Sequence, residues 1–193
     1  SDEGAWALLC LDNKKLLVGT CGLEVYLHCL DLKSRKWLKS LRDENETYIC
    51  NLVKGSDNMI YGGTYPGCSL LRYDPKEHVL KNLGRVSDNP DNMYSREVFG
   101  QVPGKIYISC AMIDRHGSVW DINDGTWKRF GPDGSEIKKV TRDYIYMTAN
   151  GRKFLYDPYF LKEIDADLTG IDLSETIKDP RLPDNAGVMK VLS

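Results

Sequence analysis

What the sequence lacks narrows the field first. No uninterrupted run of about 18 apolar residues occurs in its 193 residues, which excludes a membrane-crossing helix within them. Charge of either sign is not in excess, with 26 Lys plus Arg against 28 Asp plus Glu, so no global field draws the protein onto nucleic acid or an anionic membrane surface. There is no Gly-rich phosphate loop leading into a helix, no Gly-x-Ser-x-Gly elbow and no His-Glu-x-x-His pair, and with them go the chemistries those motifs serve. The opening SDEGAWALLCLDNKK is too polar and too short for a signal peptide, and compartment is left undetermined. No cofactor is called for and no metal ligand set is evident.

The six cysteines, Cys10, Cys21, Cys29, Cys50, Cys68 and Cys110, contain no Cys-x-x-Cys pair and do not group with the three histidines as zinc ligands would. Four of them sit among apolar or β-branched neighbours, so they are expected as buried thiols packing like small hydrophobes, with disulfides as the alternative. No histidine can be placed beside any of them from spacing, so a catalytic thiol is not expected.

What the sequence has is a repeat. KLLVGT (Lys15 to Thr20), MIYGGT (Met59 to Thr64), KIYISC (Lys105 to Cys110) and YIYMTA (Tyr144 to Ala149) start 44, 46 and 39 residues apart. Each is followed by an apolar run ending at an aspartate, namely Asp31, Asp74, Asp121 and Asp157, lying 11, 10, 11 and 8 residues beyond the first segment. A large apolar residue stands six positions past that Asp in three units, Trp37, Leu80 and Trp127, while Leu161 and Ile164 straddle the place in the fourth. Upstream of each lies one more strand-like run, AWALLCL, TYICNLV, SREVFGQV and EIKKVT. Short Asn-, Asp-, Gly- and Pro-rich links join the runs as hairpins, and Asp at the head of a type I turn caps it through its carboxylate. A period in the forties with β-branched, turn-punctuated content predicts an all-β protein of four-stranded antiparallel units.

Such a unit is apolar on both sheet faces and cannot bury them alone. Radial stacking of units solves this and gives a β-propeller. The pattern IYGGT…LLRYDPKEHVLKNLG, with weaker echoes in LLVGT…LHCLDLKSRKWLKSL and IYISC…SVWDINDGTWKRFG, resembles the blades of bacterial β-propellers of the two-component-regulator and kelch-like kind, over the chain to about residue 164. The predicted organisation is one propeller-type domain over residues 1–193, with units near 5–43, 47–86, 94–131 and 136–166 and a tail over 167–193. In the tail a brief helical turn is expected near Leu173 to Ile177, and GVMKVLS reads like the opening strand of a further blade. Two closures fit: a four-bladed ring in which that run pairs back on the first unit, or part of a larger multi-blade ring. An isolated half-ring is expected to form a homodimer, join another chain or close on itself.

In a propeller, binding concentrates on the face where the second-to-third-strand loops and the inter-blade links meet. The repeat places Cys21 to Glu24, Tyr65 to Cys68, Ala111 to Gly117, Asn150 to Lys153 and the link Arg85 to Tyr94 there. Candidate ligand-binding residues are therefore Tyr65, for stacking, and Asp114, Arg115, His116 and Arg152, for polar contacts and a carboxylate or sulfate clamp. The plain alternative is that Asp114, Arg115 and His116 form a solvated turn. The link's Asp88, Asn89, Asp91 and Asn92 carry oxygen donors, but without the spacing of a calcium loop, and read as an Asx-rich turn. Trp37 and Trp127 are expected to fix outer strands against neighbours, and Gly62 and Gly63 to permit close packing near an axis. The leading expectation for function is a non-catalytic binding or scaffold module for a protein partner or a carbohydrate-like ligand. The alternatives are a carbohydrate-active lyase or hydrolase using Asp114 or His116 as acid or base, and blades whose site lies elsewhere in a longer propeller.

Overall fold

A computed structural model describes residues 2–166 together with 168 and 171, and every regular element among them is a β-strand. Pairing follows the repeat in four antiparallel meanders. The first is β1 (Asp2–Leu11), β2 (Lys15–Gly22) and β3 (Val25–Asp31), edged by the short β4 (Lys36–Trp37) and β5 (Leu41–Asp43). The second is β6 (Tyr48–Lys54), β7 (Ile60–Tyr65), β8 (Ser69–Asp74) and β9 (Val79–Arg85). The third is β10 (Tyr94–Phe99), β11 (Lys105–Ala111), β12 (His116–Asp121) and β13 (Thr126–Phe130), and the fourth is β14 (Ser135–Val140), β15 (Ile145–Ala149) and β16 (Arg152–Tyr156). One paired position, Cys21 opposite Tyr48, joins the first two meanders into a nine-stranded sheet; the other two are sheets of four and three strands. No helix among the described residues is long and apolar enough to cross a membrane.

The aspartate corners do what the sequence predicts of them. Asp31 accepts from the Ser34 N–H at 2.7 Å, Asp74 from Lys76 and Glu77 at 2.8 and 3.1 Å, Asp121 from Asn123 at 2.9 Å, and Asp157 from Tyr159 and Phe160 at 2.7 Å each. These backbone donors stabilise the ionised form and hold the carboxyls of Asp31, Asp74 and Asp121 below their ordinary range. With the turn fixed, register follows: Leu30 lies opposite Trp37, Tyr73 opposite Leu80 and Trp120 opposite Trp127. An isolated bridge from Tyr156 to Glu163 repeats that register in the shortened fourth unit, between the Leu161 and Ile164 that the apolar pattern offered.

Burial explains why the middle strands read as unbroken apolar runs rather than alternating ones. Three core clusters among the described residues each fill one gap between successive meanders. Leu17, Val25, Leu27 and Cys29 pack on Ile49, Ile60 and Tyr73; Tyr61 and Leu70 pack on Val98, Ile106 and Ile108; Tyr107, Val119 and Phe130 pack on Ile137, Met147 and Phe154. Trp127 sits half-buried against the middle core as expected, whereas Trp37 is 59% exposed and meets the His28 ring edge-on. All six cysteines are free thiols. Cys29, Cys68 and Cys110 are buried, Cys21 and Cys50 half-buried, and Cys10 exposed. The helical turn and the closing GVMKVLS run expected in the tail lie outside the described residues.

The gaps are held close by one position. In the first three units the fifth residue of the second-strand motif is small, and it faces the first strand of the next meander. A Cβ on Gly19 would stand 2.7 Å from Ile49, one on Gly63 would stand 1.8 Å from the Ser95 carbonyl oxygen, and Ser109 in the third unit accepts the Ile137 N–H at 3.2 Å. Gly63→Ala is therefore expected to cost about 3 kcal/mol or more, because the obstacle is backbone rather than a pliable side chain. Gly4→Ala, whose Cβ would meet nothing nearer than Cys21 Sγ at 4.0 Å, is expected to change stability little. Urea unfolding of the two variants beside the parent protein measures both.

Candidate functional site

The first strands of the meanders, β1, β6, β10 and β14, line one concave side of the molecule. A cavity of about 1630 Å³ opens there, walled by residues of those strands, by Ala111 at the end of β11 and by Met112 and Arg115 from the loop after it. Around it runs an arc of aromatic rings. Trp6 stacks on Tyr48 at 6.0 Å between centroids, Tyr48 leans on Tyr65 at 5.1 Å, and Tyr65 stacks on Tyr94 at 4.4 Å. Trp6, Tyr48 and Tyr94 face the cavity, and Tyr65, at the end of β7, is wedged between the last two. Register places them: Tyr48 is the partner of Tyr65 at the start of the β6–β7 pairing, and Tyr94 opens β10 against Ala111. Burial pushes the Tyr94 phenol above its ordinary range.

The turn that carries Tyr65 is pinned from below by two charged groups that sequence patterns did not flag. Glu46 is 2% exposed and accepts the Gly67 N–H at 2.9 Å, while Arg85 donates to the Gly67 carbonyl at 2.9 Å and to the carbonyls of Asn89 and Asn92. Cys50, in the cavity wall, is kept as a thiol: burial, with Glu46 adding to it, pushes it up to about 12.

Asp114, Arg115 and His116 do not act as one loop. Asp114 is clamped by Arg129, whose two terminal nitrogens reach its carboxylate oxygens at 2.6 and 3.0 Å and also reach Asp88 at 3.2 Å and Asp133 at 2.6 Å. The hydrogen bonds from Arg129 hold the Asp114 carboxyl below its ordinary range, and Asp114 in turn raises Arg129. Asn92, fully buried, fixes the backbone of Asp114 on both sides, accepting its N–H at 2.9 Å and donating to its carbonyl at 2.6 Å. The Asx-rich link is thus a turn whose amide side chain replaces a strand partner. Asp88, Asp114 and His116 bring donor atoms within 4.8 Å of one another, and both carboxylates are engaged by Arg129.

His116 is the first residue of β12 and is fully buried, so the sequence placement of it on an open loop is corrected by the strand register. It lies directly opposite Cys110. Burial opposes its protonation, but contact with Cys110 and the Asp114 carbonyl outweighs this and raises its proton affinity. A histidine therefore does stand beside a cysteine, contrary to the expectation from spacing; the two are cross-strand neighbours six residues apart, and both are sealed from solvent. Arg115 reaches the cavity and is ion-paired to Glu136. Arg152 lies away from the cavity wall, its guanidinium 5.0 Å over the Phe154 ring. Of the five candidates, the structure brings Tyr65 and Arg115 to the cavity region and leaves Asp114, His116 and Arg152 in other roles.

No protein-family model matches the chain, and no curated protein matches it. Solved structures do. Virginiamycin B lyase from Staphylococcus aureus aligns with a TM-score of 0.63 at 16% identity, over 82% of this chain and 54% of that one. A streptogramin B lyase aligns with a TM-score of 0.62 at 15% identity, over 81% and 52%. The extracellular domain of a candidate one-component system from B. thetaiotaomicron aligns with a TM-score of 0.55 at 16% identity, over 83% and 27%. The chain spans about half the length of the two lyase structures. At such identities the likeness carries the fold alone: the protein is all-β and propeller-like, and nothing in these neighbours speaks for the kelch-like part of the resemblance.

The Asp114–Arg129 clamp gives a pH-dependent stability term. The folded pKa of Asp114 lies below its unfolded value of about 3.9, so the stabilisation is complete above that pH and is lost as pH falls through the folded value. Asp114→Asn is expected to cost about 1–2 kcal/mol at neutral pH, and the gap to the parent protein is expected to close as pH drops below about 4. Urea midpoints of the two proteins from pH 7 to pH 3 measure it.

Proposed function

We propose that the protein is a non-catalytic binding module of propeller type, with four blades near 5–43, 47–86, 94–131 and 136–166, that takes a carbohydrate-like ligand in the cavity lined by its first strands. The observation that carries this reading is the arc Trp6, Tyr48, Tyr65 and Tyr94 along that cavity. Sugar rings present apolar C–H faces that stack on aromatic rings, which the arc supplies, while their hydroxyls need polar partners at the rim, which the tyrosine hydroxyls and Arg115 supply. Tyr65 holds Tyr48 and Tyr94 in place rather than meeting the ligand by its full face.

The enzymatic reading draws on two lyases among the structural neighbours. It has less to stand on in this chain, since His116 has no exposed surface and Asp114 is neutralised by Arg129, which leaves neither as a general acid or base for a bound substrate. A protein partner on the same surface is the remaining binding reading.

Calorimetric titration with a panel of neutral and acidic oligosaccharides tests the proposal. Binding by at least one class is expected, with Tyr94→Ala and Tyr65→Ala each weakening it about 5- to 10-fold at a temperature where circular dichroism shows both variants folded. No binding across the panel, or binding indifferent to both substitutions, would sink it.

A further inference from the structure

The first strand of every meander carries a β-bulge, where two residues stand against one on the partner strand. In three meanders it falls beside the small residue that sets the close approach. Trp6 lies between the partners of Thr20 and Gly19, Cys50 between those of Thr64 and Gly63, and Arg96 between those of Cys110 and Ser109. A bulged residue leaves the alternation of its strand, and its side chain is re-aimed. All three of these line the cavity. In β14 the bulge comes later, at Lys138, between the partners of Met147 and Tyr146.

The same position thus carries a ring in the first meander and a guanidinium in the third, and the wall divides accordingly. Toward β1 and β6 it presents Trp6 and Tyr48, and the charges there, Lys54 and Asp12, pair with each other at 3.5 Å. Toward β10 and β14 it presents Arg96, Arg115 and Arg142 against Glu97 alone. Glu136 on β14 is met by Arg115 and, at 3.0 Å, by Lys138; Lys138, with Arg115 and Arg96 adding to it, holds the Glu136 carboxyl below its ordinary range. One carboxylate therefore serves three cations. Arg96 and Arg142 are both exposed, and neither has an ion-pair partner among the described residues. The chain as a whole has a formal net charge of −2, so the excess of positive charge belongs to this wall and not to the protein at large.

We propose that the β10–β14 side of the cavity receives an acidic group of the ligand, a carboxylate or a sulfate, and that Arg96 is the residue that meets it. The proposal rests on the carbohydrate reading of the cavity and narrows it to acidic sugars. A guanidinium offers paired N–H donors in the geometry of two carboxylate or sulfate oxygens, and it keeps its charge at any pH the fold survives. Tyr94 stands two residues before Arg96 on β10 and lines the same wall, so a sugar ring stacked on the phenol can turn its acidic substituent to the guanidinium. A neutral sugar would stack as well and leave that charge unanswered.

Calorimetric titration with probes matched in length tests this: galactotetraose beside tetragalacturonate and an O-sulfated galactotetraose, and mannotetraose beside tetramannuronate. At about 50 mM salt an acidic probe is expected to bind at least about 10-fold more tightly than its neutral counterpart, and the advantage is expected to shrink at about 500 mM. Arg96→Gln, at an exposed position and checked for folding by circular dichroism, is expected to lower the ratio of acidic to neutral affinity at least about 5-fold. Arg152→Gln, which removes a guanidinium lying over Phe154 away from the wall, is expected to leave the ratio unchanged. Preference for either the carboxylate or the sulfate supports the proposal and tells which group the wall takes. Equal affinity for acidic and neutral probes, with Tyr94→Ala still weakening both, overturns it and leaves the carbohydrate reading standing. A preference that Arg152→Gln lowers as much as Arg96→Gln overturns it as well, and no binding of any probe overturns both readings together.

Discussion

The close approach between one meander's second strand and the next one's first strand is the constraint on which the rest depends. At Gly63 the approach is near enough that the Ser95 backbone occupies the place of a side chain, and the Ser95 hydroxyl uses it, accepting the Thr64 N–H at 2.6 Å and donating to the Ser69 carbonyl at 2.5 Å. Gly19 and Ser109 hold the same place at the neighbouring gaps. In the fourth unit the place belongs to Thr148, larger and partly exposed, where no further described strand approaches. Small residues here let two apolar sheet faces interdigitate, and the buried area between them outweighs the entropy of ordering short, turn-rich strands. Without the approach each sheet would be two-faced and unstable.

From that constraint the cavity follows. Packing second strand to first strand draws the first strands together on one side of the stack, and their ends bring Trp6, Tyr48 and Tyr94 into a row that none of the strands makes alone. Tyr65 belongs to the row because the β6–β7 register sets it opposite Tyr48. The scaffold and the candidate site are thus set by the same register, and a slip by one residue would turn every ring in the arc to the wrong face.

The strand pattern was legible because its causes are local. Asp31, Asp74, Asp121 and Asp157 each cap their own turn, and a capped turn fixes the register of the hairpin it closes, down to Glu163 opposite Tyr156. The candidate site was legible only in part, because its determinants are distant in sequence. Tyr65 was read as the stacking candidate of its turn, but its partners Tyr48 and Tyr94 come from other strands. Asp114 looked available until Arg129, from β13, and Asn92, from the preceding link, closed on it. His116 looked like a loop residue because Asp-Arg-His is polar, yet strand pairing with Cys110 begins at it. Polarity marks a loop only where no partner waits to bury it.

The same reasoning separates what the polar residues of this chain are for. Glu46, Arg85, Asn92 and Arg129 are charged or strongly polar and are spent on backbone or on one another: Gly67 is held by Glu46 and Arg85, the Asp114 backbone by Asn92, and its carboxylate by Arg129. Removing any one would leave a buried partner unpaired, which is costly and local, and would loosen the loops that border the cavity. Rings serve differently. Trp6 and Trp37 keep large exposed areas, Trp6 beside the cavity and Trp37 on the short edge strand β4. Leu23, Ile113 and Phe160 are more exposed still, so exposure alone does not single out a site; what distinguishes Trp6 is its stacking on Tyr48 in the wall of the cavity.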